Sequence, residues 1–157
     1  MQLNDNNKLS ENTYRIAVYG SLLEGLGNHG CLNGFSPVAR FRSEGIFTLH
    51  SLHGSYPGLK QEGEDSVVFE VYEVDEITNR RVQRLEGYNP DRDDNTFYDV
   101  AIIDTPRGKA STYIYQPSTD TRLESGDWYL FKTGESKELH DEIKIENTTP
   151  ELSEFTE

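Results

Sequence analysis

The sequence predicts an α+β fold: a small mixed, mostly antiparallel β-barrel with short flanking helices. Three observations carry that expectation. Short strand-like apolar runs recur, at 16–18, 66–74, 97–103 and 110–115. Most connections between them are too short for the crossover that a parallel βαβ unit needs. Only one longer stretch, after Asp75, combines a helix start signal, spaced apolar residues and a glycine stop. At 157 residues the chain is one domain by length, large enough to bury a core.

In chain order, residues 1–13 are polar and Asn-rich and are expected as a flexible leader. Ile16-Ala17-Val18 then form a core strand that runs into a break at Tyr19-Gly20-Ser21-Leu22. Asn28 to Asn33 suit one helical turn, with Asn28 as N-cap and Gly34 beyond its end. Pro37 to Leu49 alternate well enough for one long strand, or for two bent at Gly45. Gly54-Ser55-Tyr56-Pro57-Gly58 read as a turn cluster. Ser66 to Val74 are the clearest strand. Asp75 is placed to cap a helix over 76–86, with Ile77, Val82 and Leu85 on one side and Gly87 ending it. A charged loop follows at 89–95. Phe97–Ile103 and Ala110–Tyr115 form a hairpin about Thr105-Pro106-Arg107-Gly108. A last short element starts at Ser125-Gly126-Asp127-Trp128 and ends at Phe131. From 132 the chain holds three lysines and eight acids and few large apolar residues, which predicts an acidic, disordered tail over 132–157. The folded domain is expected over 14–131.

Charge narrows the function. Lys and Arg number 15 against 28 Asp and Glu, so 15 − 28 leaves −13. Such a surface repels nucleic-acid phosphates and anionic membranes alike. Cys31 is the single cysteine, so neither an intrachain disulfide nor a cysteine metal cluster is available. The N-terminus lacks an apolar signal core and no apolar run approaches a membrane span; a cytoplasmic protein is the expectation.

Two stretches suggest chemistry. The break after the first strand turns several backbone N–H groups the same way, and such a concavity binds a carboxylate or a phosphate. Glu86 stands at the predicted end of the helix. The negative end of the helix dipole, and burial by Leu85 and Tyr88, would both raise its pKa toward the range of a general acid/base; a solvated helix-end glutamate is the alternative. Gly25-x-Gly27-x-x-Gly30 formally matches a dinucleotide fingerprint, but it does not leave a strand directly and no long helix follows. Cys31 with His29, His50 and His53 has poor spacing for a metal site. Several tyrosines, among them the Tyr113/Tyr115 pair on one strand face, are candidates for lining a pocket.

Taken together, Tyr19-Gly20-Ser21-Leu22 with Gly25 and Asn28-His29, then Tyr56-Pro57-Gly58-Leu59, Val71-Tyr72-Glu73-Val74, Leu85-Glu86-Gly87-Tyr88, Tyr98, Tyr113/Tyr115 and Ser125-Gly126-Asp127-Trp128 resemble the γ-glutamylcyclotransferase-like (AIG2-like) superfamily. The likeness covers roughly 15–130. It implies a small mixed β-barrel with flanking helices and a cavity between the glycine turn and the helix ending at Glu86. It implies an enzyme that releases an amine or amino acid from a small γ-glutamyl compound by cyclising the glutamyl part to 5-oxoproline. In that reading Glu86 is catalytic, Tyr19, Gly20, Ser21, Leu22, Tyr98, Tyr113 and Tyr115 bind substrate, and no metal or organic cofactor is called for. The competing expectation is a non-catalytic protein on the same fold that binds a small anionic metabolite or a partner. A nucleotide-binding domain is the third reading. Oligomeric state is open.

Overall fold

The computed structural model describes residues 8–10, 12–89, 91, 97–119 and 121–143. Among them eight strands and two α-helices occur: β1 Lys8–Ser10, β2 Thr13–Val18, β3 Ala39–Arg42, β4 Phe47–Leu52, β5 Tyr56–Asp65, β6 Val68–Val74, α1 Glu76–Leu85, β7 Tyr98–Thr105, β8 Gly108–Tyr115 and α2 Trp128–Thr133. The main sheet has the order β3-β6-β2-β8-β7, with β1 added against β2. The β2–β8 contact is parallel, through Ile16 and Ser111, and every other pairing is antiparallel. β4 and β5 form a separate two-stranded sheet. The predicted class therefore holds, α+β with a mixed sheet, but the curl does not close into a barrel.

β6 explains the middle of the fold. All seven of its residues are buried, so it reads as a near-continuous apolar run rather than a half-wet alternation. Phe69 collects the core: Phe41 stacks on it at 5.6 Å, and Phe47 and Tyr19 meet it edge-on at 5.8 and 5.9 Å. The two acids within this strand are paired. Glu70 meets Arg40 Nε at 2.8 Å and Glu73 meets Arg15 at 3.1 Å. Such partners offset the cost of burying a charged carboxylate, which otherwise raises its pKa.

Of the two arrangements expected over Pro37–Leu49, the two-strand one holds: β3 and β4 are separated by residues 43–46 and lie in different sheets. Three other expectations change in three dimensions. The turn cluster shrinks to His53-Gly54-Ser55, and Tyr56-Pro57-Gly58 opens the ten-residue strand β5. There glycine serves close packing: a Cβ on Gly58 would lie 2.8 Å from the Tyr115 ring. On α1 the buried side is Thr78, Asn79, Val82 and Gln83, while Ile77 and Leu85 face outward. Asp75 caps this helix as expected, its carboxylate accepting from Thr78 N–H at 2.8 Å, and Gly87 follows at φ +71°. Finally, the stretch read as tail begins inside α2. Residues 134–143 run back over β3, where Arg40 and His140 exchange both backbone hydrogen bonds. Of the expected leader, Lys8–Ser10 pair with β2; residues 1–7 and 144–157, and the loop positions 90 and 92–96, lie outside the described residues.

Candidate active site

A cavity of about 350 Å³ opens where β2 ends, within the size range of small-molecule sites. Its walls come from four places. The glycine turn supplies Tyr19, Gly20, Ser21 and Leu22; the start of β5 supplies Tyr56 and Pro57; the end of α1 supplies Leu85, Glu86 and Gly87; and the hairpin supplies Phe97, Tyr98 and Tyr113. Of the catalytic and substrate-binding residues that the family resemblance implied, Tyr115 alone is not in this wall. It stands behind Tyr98, ring centroids 5.4 Å apart, and packs over Gly58.

The turn is a compact knot. Leu23 N–H donates to Gly20 O and Asn28 N–H to Ser21 O, both at 2.9 Å. The Asn28 side chain, which does not cap the following 3₁₀ turn at His29–Leu32, donates instead to Ser21 Oγ at 2.8 Å. Among the described residues the N–H groups of Gly20, Ser21 and Leu22 meet no protein acceptor. Three successive backbone donors without a protein acceptor, on residues that line the cavity, are the kind of group that can hold an anion. Gly20 owes its identity to a close approach: a Cβ there would fall 2.5 Å from Pro57 Cγ.

Glu86 is the C-cap residue of α1, its N–H bonded to Val82 O at 3.0 Å. The residue keeps some exposure, yet its carboxyl is densely surrounded, and burial pushes its pKa from 4.5 up to about 7. Burial, one of the two causes expected, carries this shift. No described cation pairs with it. Burial, and then the Glu86 charge, hold Tyr19 and Tyr113 well above the ordinary phenol range, and the same two causes raise Tyr98. All three phenols therefore stay neutral.

Two of those hydroxyl protons are already committed. Tyr19 donates to Tyr113 O and Tyr98 to Pro57 O, each at 2.6 Å, and a carbonyl can only accept. They brace the wall. The Tyr113 hydroxyl makes no such bond among the described residues.

The other sequence candidates separate. His50 belongs to β4, with Nε2 3.3 Å from Thr48 Oγ1, and His53 sits in the turn beyond it. His29 holds Leu22 O through Nδ1 at 3.0 Å and stands against Tyr72, while Cys31 packs on the core. Gly25 to Gly30 run through turns into the 3₁₀ helix, so the fingerprint context is absent. Sequence reasoning did not find the mouth of the cavity. Tyr56, Leu85 and Phe97 line it and remain 45, 40 and 57% exposed. The misread helix face and the misread turn hid the first two.

A family described as "Gamma-glutamyl cyclotransferase, AIG2-like" matches residues 16–130. A Vibrio cholerae protein whose name assigns it provisionally as a gamma-glutamylcyclotransferase is 38% identical over 115 residues, spanning 72% of this chain and 93% of its own. The gamma-glutamylcyclotransferase family protein YtfP of Escherichia coli is 35% identical over 116 residues, spanning 73% and 95%. Its solution structure superposes with a TM-score of 0.57. The crystal structure of protein PH0828 from Pyrococcus horikoshii superposes at 0.62, with 28% identity over 76% of this chain and 93% of that one.

Proposed function

The chain belongs to the gamma-glutamyl cyclotransferase, AIG2-like family, and from that premise we infer that it cyclises a small γ-glutamyl compound to 5-oxoproline, with Glu86 as the proton carrier. The observation that carries this reading is the Glu86 carboxyl, held at about 7 in the same cavity as three unspent backbone donors.

The steps follow from that pair. The N–H groups of Gly20, Ser21 and Leu22 take an anionic oxygen of the substrate, either its α-carboxylate or the developing oxyanion. Ionised Glu86 removes a proton from the α-ammonium. The freed nitrogen attacks the γ-carbonyl carbon of the same molecule and closes a five-membered ring. The amide C–N bond then breaks as Glu86 returns its proton to the leaving nitrogen. The ring nitrogen, left with two hydrogens and a positive charge by its attack, gives its second proton to the departing amine, which leaves as the ammonium, so protons and charge balance over the cycle. An acid with pKa near 7 serves both half-steps at neutral pH. Ring closure within one molecule needs mainly that the substrate be folded into the attacking shape. Tyr19 and Tyr98, their protons committed to carbonyls, wall the pocket; Tyr113 has the hydroxyl left to donate.

The apolar mouth bears on the leaving group. Tyr56, Leu85 and Phe97 offer the departing amine an apolar surface, which favours uncharged or aromatic substituents over charged ones.

The test is 5-oxoproline release from a panel of γ-glutamyl amines and amino acids, with wild type and Glu86→Gln side by side. Release by wild type and a fall of at least about a hundredfold in the variant are expected for loss of a general acid/base. Full activity in Glu86→Gln removes Glu86 from the mechanism. Thermal stabilisation by γ-glutamyl compounds without release by wild type transfers the reading to a binding protein.

A further inference from the structure

The glycine turn is held from outside the cavity by a segment that lies beyond the family-matched span 16–130. After α2 the chain reverses at Gly134 and runs back along β3. Arg40 N–H donates to His140 O at 2.7 Å and His140 N–H to Arg40 O at 2.5 Å; Ile143 N–H donates to Val38 O at 2.8 Å. Arg40 adds a side-chain bond to Glu138 O at 3.1 Å. These contacts fix the segment in register against β3.

From that position Lys137 reaches the turn. Its ammonium crosses the Tyr129 ring at 4.7 Å and donates to the carbonyl of Glu24, two residues past Leu22. It also lies 3.6 Å from Glu70 Oε2 and 3.7 Å from Glu24 Oε1. The N–H of Glu24 meanwhile donates to Glu70 Oε1 at 2.8 Å. Both backbone polar groups of Glu24 are thus tied, one to a carboxylate only 1% exposed and the other to the segment's lysine. Gly25 completes the fit. A Cβ there would meet the Tyr129 ring at 3.2 Å, and its φ of +96° already favours glycine.

We propose that residues 135–143 are a positioning strap for the cavity's glycine turn, and that Lys137 is its positioning residue. The turn is short, glycine-bearing and outside any ladder, so the bonds that anchor its ends add to the few internal ones in setting its local stability. Pinning the Glu24 carbonyl restricts the chain immediately after the three donors. An anion then binds a preformed site instead of paying to order one. The strap touches the turn and not the reacting atoms, so it acts on binding more than on the chemical step.

The experiment is hydrogen exchange of the full chain, wild type against Lys137→Met and Lys137→Arg. Methionine keeps the apolar stem over Tyr129 and removes the donor; arginine restores a cation. In Lys137→Met the amides of 19–28 are expected to exchange about threefold or more faster, with those of β7 and β8 unchanged, and Lys137→Arg is expected to recover most of the protection. With the fastest substrate of the panel, KM rises severalfold in Lys137→Met while kcat changes less. Unchanged exchange over 19–28 overturns the proposal, as does a uniform acceleration across the whole chain. The exchange result needs no turnover, so it decides the strap even if the cyclotransferase reading fails.

Discussion

Glu86 shows how one residue couples site and stability. Its folded pKa of about 7 lies above the ordinary 4.5, so the folded state holds the proton more tightly. The favourable contribution is fully present below pH 4.5 and is lost as pH rises through about 7. Each pKa unit is worth about 1.4 kcal/mol, which puts the loss on the order of 3 kcal/mol. Glu86→Gln cannot ionise and escapes it. The variant is expected to match wild type near pH 4 and to exceed it in denaturant midpoint at pH 8; parallel pH–stability curves would contradict the burial argument. The same ionisation sets catalysis in the opposite sense, with activity rising through pH 7 as the base forms. The residue that costs stability at neutral pH is the one the proposed chemistry needs ionised. Placing Glu86 at a helix end required only the spacing from Asp75 to Gly87; its burial depends on elements distant in sequence.

At the level of elements, the cavity depends on a contact between the glycine turn and β5. Gly20 leaves no room for a side chain beside Pro57, since an added Cβ would fall 2.5 Å from its Cγ. Gly20→Ala forces the turn and the strand apart. A cost of about 1–3 kcal/mol in urea unfolding is expected, the range for overpacking, together with weaker binding of γ-glutamyl compounds. Wild-type stability in this variant would show that the turn yields freely. The Pro-Gly pair of β5 had the composition of a turn, and local composition gave no means of seeing that it packs against Gly20 and Tyr115. Hairpin β7–β8 had no such ambiguity. Its two runs flank a turn sequence, and their register follows directly from Tyr98 opposite Tyr115 to Thr105 opposite Gly108.

Across the whole molecule, the segment after α2 ties the last described residues to β3 and to the turn. A chain ending at Thr133 loses the Arg40–His140 exchange, the Ile143–Val38 bond and Lys137 together. It also leaves the Arg40–Glu70 pair with less cover. Its melting temperature is expected to fall by roughly 5–10 °C, from a few hydrogen bonds at about 1 kcal/mol each. A chain ending at Ile143 keeps all of those bonds and is the control; an equal melting temperature for the two would mean that the segment adds no stability.

Sequence alone set the local features: the strands at 16–18 and 66–74, the capped helix before Glu86, the hairpin and the glycine turn. Each depends on residues within about ten positions of one another, where capping, turn chemistry and periodicity act. It also carried the family likeness, through short motifs in a constant order. The tertiary structure decided the rest. It made β5 a strand, turned Leu85 to the cavity mouth, set Tyr115 behind the wall, and committed the Tyr19 proton to a carbonyl 94 residues away. It brought Lys137 to Glu24 across 113 residues, out of a stretch whose composition predicted a tail. Those outcomes depend on which distant surfaces meet, because burial and buried hydrogen bonds belong to the packed whole and no short window of sequence contains both partners.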